Sequence, residues 1–600
     1  MPGSNSRWRQ FQKLRFNSKN IYKNARKAET ATIRHAHKFI VKRWQNISDV
    51  KYHITGWLAM IAALVLLIGV QMVWSQQTYT TQAPQDGGTY AEAAIGPAET
   101  LNPLFADSSA EVAASKLMFS SLYKFDTSGH LHPDLATSMQ KSKDGTSYKL
   151  KIRDDAKWQD GKKLTSQDIA FTVDLIEDTN TNVRSSLANK WVGVDVETPD
   201  EQTVIFNLPS TNAAFKQSLN FPVVPRHILK DVPPYSLRES NFSKSPVGSG
   251  PFELRLFQTV DSNKDRKIIH LTANKSYYEG APKLARFQLH VYGDREGIIK
   301  ALKTNEVNSA ADLVSSDIKH VNKNRYEVIT KPVNDGVFAL FNTNSETVGD
   351  VDIRRALQLS LDMDKVRSSL PKDVNPINLP FVKGQLDGQV PKPQTRDIKK
   401  ASSLLDKAGW KIGKDGMRHK KGEPLVINMV ALKGQDYERP LTEMKSQWKQ
   451  IGVEVRDQVI DPDDNSSNFV QSILKPRNFD VLIYKLSIGG DPDVYTYWHS
   501  SQASANGHNF SSYSNKLADN DLSSALGNVG YKLRNAKYLN FAKQWLKDVP
   551  AIGLYQSNMY YVTRPNITNI SAGESIVNPL ERYSNILDWT ANESSVYKTP

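Results

Sequence analysis

The 600-residue sequence contains no cysteine. This absence excludes disulfide bonds, thiolate metal sites and cysteine nucleophiles. It also excludes attachment through a lipid-modified cysteine, which many bacterial surface proteins use as an anchor. Any attachment to a membrane must therefore come from the polypeptide itself.

Catalytic motifs are missing as well. The sequence VGSGP at Val247–Pro251 is not a G-x-S-x-G elbow, and neither a Walker A loop nor an H-E-x-x-H pair occurs. The nearest histidine cluster, His130 and His132, precedes Pro133 and has no third ligand close in the sequence. The sequence therefore predicts neither an enzyme nor a cofactor or metal site.

Acidic residues are scarce in the first 53 positions, which hold 13 Lys and Arg but only Glu29 and Asp49. The run that follows, Ile54–Trp74, has 21 residues and no charge. As a helix it would reach about 31 Å, enough for the hydrocarbon core of a bilayer. By the positive-inside rule we expect residues 1–53 in the cytoplasm and the C-terminal part outside, extracellular or periplasmic.

A cleaved signal peptide is the alternative interpretation of this run. Its charged leader would be far shorter, and the first A-x-A sequence after the run, Ala91–Ala93, lies well beyond it. The sequence favours an uncleaved, single-pass anchor in the cell membrane.

The leader also accounts for most of the whole-chain charge of +14. Beyond it, 64 basic and 61 acidic residues leave a net charge of only +3, so we expect no nucleic-acid partner. Helical spacing within the leader predicts a basic amphipathic helix on anionic lipid, with a plain topogenic tail as the alternative. Its apolar positions are Ile33, Ala36, Ile40, Trp44 and Ile47.

Strands and helices mix through the rest of the chain. Alternating apolar residues predict strands in YKLKIRD from Tyr148 and in TVIFNL from Thr203. Thr165 and Asp168 form a predicted capping box, and Asp160-Gly161 predicts a tight turn.

Three further segments have helical periodicity, and a fourth segment has the pattern of a buried strand. The predicted helices carry Ile353 and Leu357, Ala401 and Leu405 before Gly409, and Leu441, Met444 and Trp448 before Gly452. The segment Phe479–Leu486 is apolar on both faces, which predicts a central strand. Helices that alternate with strands predict an α/β fold.

Five ordered segments resemble the substrate-binding proteins of ABC importers, in the family that binds peptides and nickel. They are Gly87–Phe105, Asp134–Ile176, Pro246–Leu254, Phe341–Val366 and Gly490–Gln502. The resemblance implies a two-lobed, periplasmic-binding-protein-like (type II) α/β fold with an extra small subdomain, here preceded by one transmembrane helix. It also implies a monomer that delivers its solute to an ABC permease and ATPase.

The family pattern implies domain boundaries. Residues 87–122, 210–330 and 556–600 would form the first lobe, residues 123–209 the small subdomain and residues 331–555 the second lobe. Before them we expect a basic leader at 1–53, the transmembrane helix at 54–74 and a polar linker at 75–86.

In peptide binders of the family, an aspartate four residues before a motif proline pairs with the peptide amino terminus. Counting back from Pro492 gives Ile488, which cannot pair with an ammonium group, and the usual tryptophan falls on Lys485. Asp491 or Asp493 could substitute, although GGDPD is also good turn sequence. The resemblance therefore implies a ligand-binding segment that also contains Tyr484 and Ser487, with Lys485 a hint of an anionic ligand.

From the first lobe, the resemblance brings Asp107, Ser108 and Ser109 to the ligand. An N-cap for the following helix is the alternative for these residues. Trp498 would line the cleft, or pack in the core.

The resemblance implies capture of peptides or a peptide-like solute without chemical change. Two alternatives stay open. One is a surface receptor or interaction protein that reuses the fold, and the other is a binder of a non-peptide solute such as a sugar or a metal chelate.

Overall fold

The computed structural model describes residues 18–36, 38, 47–126, 129–370, 374–461, 468–528, 530–565, 567 and 575–597. The chain divides into two compact units. One comprises Met1–Ala83 and Ser594–Pro600, and the other comprises Pro84–Glu593.

The first unit contains the helices Ser18–Ala36 and Ile47–Tyr79. Within the second helix, Lys51–Trp74 is long and apolar enough to cross a membrane, and none of the side chains in its apolar window is buried. The helix runs past Trp74, and the strand Thr80–Gln85 follows it and pairs with Asn592–Tyr597, so regular structure occupies much of the predicted linker. The predicted leader positions Ile40 and Trp44 lie outside the described residues.

A seven-stranded mixed sheet forms the first part of the second unit, which we call the seven-stranded region. Its strand order is Glu327–Pro332, Asn558–Thr563, Ser309–Leu313, Thr89–Ile95, Arg286–Tyr292, Arg266–Ala273 and Phe252–Asp261. Thr89–Ile95 pairs in parallel with both of its neighbours and is mostly buried, as a central strand should be. The helices Ser109–Met118 and Arg295–Thr304 pack against this sheet.

A four-stranded antiparallel sheet forms a smaller region, the four-stranded region. Its order is Ala136–Lys141, Ser147–Ile152, Thr203–Asn207 and Asp195–Asp200. The helix Ser166–Glu177 begins at the predicted capping box of Thr165 and Asp168, which is confirmed. Gly161 has a φ of +87° in the predicted turn. The apolar core of this region is continuous with that of the seven-stranded region.

A six-stranded sheet organises the third region, the six-stranded region. Its order is Asn375–Pro376, Ala551–Gln556, Asp335–Phe341, Val481–Ser487, Val426–Leu432 and Glu454–Ile460. The prediction of a central strand near Phe479–Leu486 is confirmed, because Val481–Ser487 has a paired strand on each side. Separate apolar clusters cover the two faces of the sheet.

Helices cover this sheet on both faces: Val351–Ser360, Met363–Ser368, Ile398–Lys407, Gln435–Lys449, Lys516–Leu526 and Tyr531–Asp548. The three predicted helices are among them. Gly409 and Gly452 follow two of these helices with φ of +90° and +79°, a conformation that favours glycine. Shorter elements are the strands Tyr123–Phe125, Leu131–Pro133, Lys411–Ile412, Arg418–Lys420 and Glu423–Pro424, the α-helices Ser185–Ala188, Phe215–Ser218, Arg226–Leu229 and Tyr495–Trp498, and the π-helix Val470–Leu474.

The chain passes between the seven-stranded and six-stranded regions at two adjacent crossings. One crossing joins Glu327–Pro332 to Asp335–Phe341, and the other joins Ala551–Gln556 to Asn558–Thr563. The N–H of Val333 donates to the carbonyl of Ser557 at 2.9 Å, and Nε2 of Gln556 donates to the carbonyl of Val333 at 2.8 Å. The two crossings therefore form one hydrogen-bonded junction.

Candidate functional site

The predicted ligand residue Lys485 lies beside this junction. Its Nζ is 3.7 Å from Oδ2 of Asp335. Asp335 is buried and accepts hydrogen bonds from the N–H of Ser557 at 3.1 Å and from its hydroxyl at 2.6 Å. Burial raises the pKa of Asp335, and Lys485 and Ser557 oppose the rise. Lys485 thus has a carboxylate partner within the protein.

The neighbouring predicted residues have different surroundings. The ring of Tyr484 packs edge-on against Phe510 with 5.5 Å between centroids, while Ser487 is exposed. Ile488 is only 6% exposed and belongs to an apolar cluster on one face of the six-stranded sheet. Its N–H donates to the carbonyl of Asn334 at 3.0 Å. The side chain at this position is therefore part of the core.

Asp491 and Asp493 both have partners within the protein. Asp491 forms a bidentate ion pair with Arg534, in which Nη1 donates to Oδ2 at 2.7 Å. The carboxylates of Asp491 and Asp493 also accept backbone N–H bonds two residues further on, at 3.0 and 3.1 Å, the geometry expected for a turn. Burial raises the pKa of Asp493, and Arg534 and Lys190 are the cations that oppose it.

The segment around Gly490 is where the six-stranded region meets the other two. A Cβ added at Gly490 would lie 3.2 Å from Cε1 of Phe125 and 3.3 Å from Cγ2 of Val577. The N–H of Ala213 donates to the carbonyl of Leu526 at 2.8 Å, a second contact across the same boundary. Ser315 donates to Asp436 at 2.9 Å as a third. The loop predicted to bind ligand thus lies at the boundary between regions.

The predicted first-lobe residues serve the start of a helix. Ser108 is the N-cap of Ser109–Met118 and forms a capping box with Glu111. The hydroxyl of Ser109 donates to Asp312 at 2.7 Å, whereas Asp107 is exposed. The N-cap alternative is therefore confirmed for Ser108.

Trp498 lies in the core. It is 1% exposed, and its ring is 5.4 Å from that of Trp545 and 6.1 Å from that of Phe338. Of the two alternatives that the sequence left for this residue, the structure shows the packed tryptophan.

A cavity that the sequence analysis did not identify lies between the seven-stranded and four-stranded regions. It has a volume of about 150 Å³, and its charged lining residues are Lys116, Arg184 and Glu581. These residues are far apart in the sequence, and none belongs to a recognisable motif, so no local signal could have linked them. Among the described residues, no group of three or more His, Asp or Glu side chains could hold a metal ion.

Burial sets the electrostatics of this cavity. Burial raises the pKa of Glu581 to about 7, although its carboxylate accepts hydrogen bonds from the N–H of Val577 at 2.7 Å and from Nδ2 of Asn578 at 3.1 Å. Burial also lowers the pKa of Lys116 and of Arg184. The arrangement can bind a charged group.

Comparison with known proteins agrees with this architecture. The model of the bacterial extracellular solute-binding proteins, family 5, matches residues 130–508, more than half of the chain. The oligopeptide-binding protein AppA of Bacillus subtilis is 28% identical over 503 residues, which cover 81% of this chain and 89% of that protein.

Two solved structures share the mixed α/β, periplasmic-binding-protein-like fold. AppA of Bacillus subtilis in complex with a nonapeptide is 26% identical, with a TM-score of 0.69, over 85% of this chain and 100% of that chain. NikZ of Campylobacter jejuni in complex with Ni(L-His) is 24% identical, with a TM-score of 0.71, over 84% of this chain and 99% of that chain. The chain belongs to the bacterial extracellular solute-binding proteins of family 5, the substrate-binding proteins of ABC transporters.

Proposed function

We propose that this protein is a membrane-anchored receptor that captures peptides or a peptide-like solute and delivers it to an ABC importer. The observation that carries the proposal is the pair of adjacent crossings between the seven-stranded and six-stranded regions. Two bodies joined at one junction can close over a solute that contacts both of them. The nonapeptide bound to AppA, a relative of this chain, supports a peptide as that solute.

The lobes of this proposal are those that the family pattern implies. The first lobe comprises residues 87–122, 210–330 and 556–600, and the second comprises residues 331–555, with 123–209 as the subdomain. The loop around Gly490 lies against Phe125 in the structure, and in this proposal that contact belongs to the closed arrangement of the lobes. The side chains predicted to bind ligand from this loop are mostly engaged within the protein, so we expect other groups at the boundary to set the specificity.

The helix Ile47–Tyr79 supplies the anchor in this proposal. Its apolar part would cross the membrane once and place the basic leader in the cytoplasm, against anionic lipid. Anchoring would keep the receptor near its permease at a high effective concentration. Protease treatment of intact cells tests this topology, since epitopes on the solute-binding unit should be lost while an epitope at the N-terminus survives.

Native mass spectrometry of the full chain, purified in mild detergent without added ligand, tests the capture. We expect a heterogeneous set of short peptides to be released from the protein. One defined non-peptide molecule would contradict the peptide assignment while retaining solute capture, and no released molecule after several preparations would contradict capture itself.

A further inference from the structure

The cavity bounded by Lys116, Arg184 and Glu581 lies close to the boundary with the six-stranded region. Phe125 lines it and is also the residue nearest to a Cβ placed on Gly490. Arg184 and Lys190 interact electrostatically, and Lys190 in turn interacts with Asp493 of the six-stranded region. A group bound in the cavity would therefore lie beside the surfaces that meet when the two lobes close.

Arg184 has an unused hydrogen-bonding capacity. Its Nε is buried and has no hydrogen-bond partner among the described residues. Burial lowers its pKa, and the carboxylates of Asp107 and Glu111 oppose this from a distance. A buried N–H group without an acceptor is costly, because it has lost its hydration and gained no hydrogen bond.

The buried carboxylate of Glu111 is already hydrogen-bonded to other groups. Oε1 of Glu111 accepts the N–H groups of Glu99 and Thr100 at 2.7 and 3.1 Å. Its Oε2 accepts those of Asp107 and Ser108 at 3.0 and 3.2 Å. Glu111 is thus committed to the helix cap.

The charged side chains that line the cavity are two bases, Lys116 and Arg184, and one acid, Glu581. Burial lowers the pKa of Lys116, against the attraction of Asp134 and Glu581, and burial raises the pKa of Glu581 to about 7. Of the three, the guanidinium of Arg184 is the group that stays charged near neutral pH. Phe119, Phe125 and Leu580 supply an apolar lining beside them.

We propose that this cavity binds a carboxylate of the solute, with Arg184 as the principal donor, Lys116 as a second donor, and the apolar lining around the adjoining hydrocarbon. A guanidinium matches a carboxylate through two parallel N–H···O bonds, which a lysine cannot reproduce. The proposal rests on the proposed function, because it assigns the chemical class of the same captured solute. It also replaces Lys485, which is paired with Asp335, as the source of anion recognition.

Equilibrium dialysis of the full chain in nanodiscs of neutral lipid tests the site, with pentanoate as the probe and pentanamide as its uncharged counterpart. We expect pentanoate to bind about tenfold more tightly than pentanamide, and Arg184→Gln to abolish the difference. Arg184→Lys should restore only part of it. Lys149→Gln removes an exposed cation of the four-stranded region and should leave the preference unchanged.

Equal binding of the two probes, or an unchanged preference in Arg184→Gln, would overturn the proposal. Native mass spectrometry of peptides released from the same preparations separates this result from the proposed function. Peptides captured equally by wild type and Arg184→Gln would reject the carboxylate site and retain peptide capture. A pentanoate preference without any released peptide would retain the site and reject peptide capture.

Discussion

The Nζ of Lys485 lies 3.7 Å from Oδ2 of Asp335, and this pair connects a central strand of the six-stranded sheet to the first chain crossing. Asp335 also binds the backbone and hydroxyl of Ser557 on the second crossing. One buried carboxylate thus holds both crossings together, while the lysine is half exposed.

We therefore expect Asp335→Asn to lower the free energy of unfolding more than Lys485→Ala does. Loss of hydrogen bonds to a buried charged acceptor costs about 2 kcal/mol, whereas an ion pair with one exposed partner contributes less than about 1 kcal/mol. Urea unfolding of the two variants beside wild type gives the comparison. A Lys485→Ala variant with normal stability but lost solute binding would restore Lys485 as a ligand residue.

Gly490→Val should hinder closure without unfolding either lobe. The added side chain would meet Phe125 and Val577 across the boundary, at 3.2 and 3.3 Å from its Cβ. A steric clash in the closed state reduces the fraction of protein that is closed, and the affinity for solute falls by the same factor. A clash that costs about 1.4 kcal/mol would lower the affinity about tenfold. Titration with peptides recovered from the wild-type protein measures the change.

Gly530→Val is the matched control, because a Cβ at Gly530 meets no atom within 4 Å. Equal affinities of the two variants would show that Gly490 does not lie at the closing boundary. A large loss of unfolding free energy in Gly490→Val would instead assign it a role in the fold.

Glu581 should make stability depend on pH near neutrality. Burial raises its pKa from 4.5 to about 7, against the hydrogen bonds of Val577 and Asn578 and the charge of Lys116, and Asp126 adds to the rise. The folded state then keeps a proton that the unfolded chain releases above pH 4.5, so the free energy of unfolding falls as pH rises from 4.5 to about 7. The full loss is about 3 kcal/mol.

Glu581→Gln removes this titration. Denaturant unfolding from about pH 5 to about pH 8 should show wild type losing stability relative to the variant, because the contributions of other groups largely cancel in the difference. Parallel pH profiles would contradict a raised pKa at Glu581.

Short sequence patterns predict individual helices and strands correctly. They do not predict which residues from distant parts of the chain come into contact. The capping box of Thr165 and Asp168 and the central strand around Val481 were predictable because the residues concerned are neighbours in sequence. The partner of Lys485 is on another strand, and only the folded sheet brings Asp335 beside it. The sequence around Lys485 therefore predicts a ligand role, because it gives no sign that Asp335 is the partner of this lysine.

The cavity lined by Lys116, Arg184 and Glu581 could not be predicted from the sequence for the same reason. Lys116 comes from a helix of the seven-stranded region, Arg184 from the four-stranded region and Glu581 from the C-terminal part of the chain. Neither periodicity nor motif spacing relates these residues, because their proximity depends on the packing of two regions. Burial then shifts the pKa values of these three side chains, and the amino-acid composition does not reveal which residues are buried.

The last prediction concerns Asp491 and Arg534, whose side chains are 16% and 13% exposed. Burial lowers the pKa of Arg534, but the bidentate bond to Asp491 outweighs it, so the pKa is raised overall. Removing one partner leaves a largely buried charge unpaired. We therefore expect Asp491→Asn and Arg534→Met each to lower the free energy of unfolding by about 3 kcal/mol. The double variant should cost clearly less than the two single costs combined, because no unpaired charge remains.

Urea unfolding of the four proteins gives this coupling free energy. The same variants test whether Asp491 receives a peptide amine. If it did, Arg534→Met would free the carboxylate and strengthen the binding of peptides with free amino termini over acetylated ones. We expect no such gain, because the two backbone bonds and the turn around Pro492 keep Asp491 and Asp493 within the protein, and a gain in Arg534→Met would return Asp491 to the ligand site.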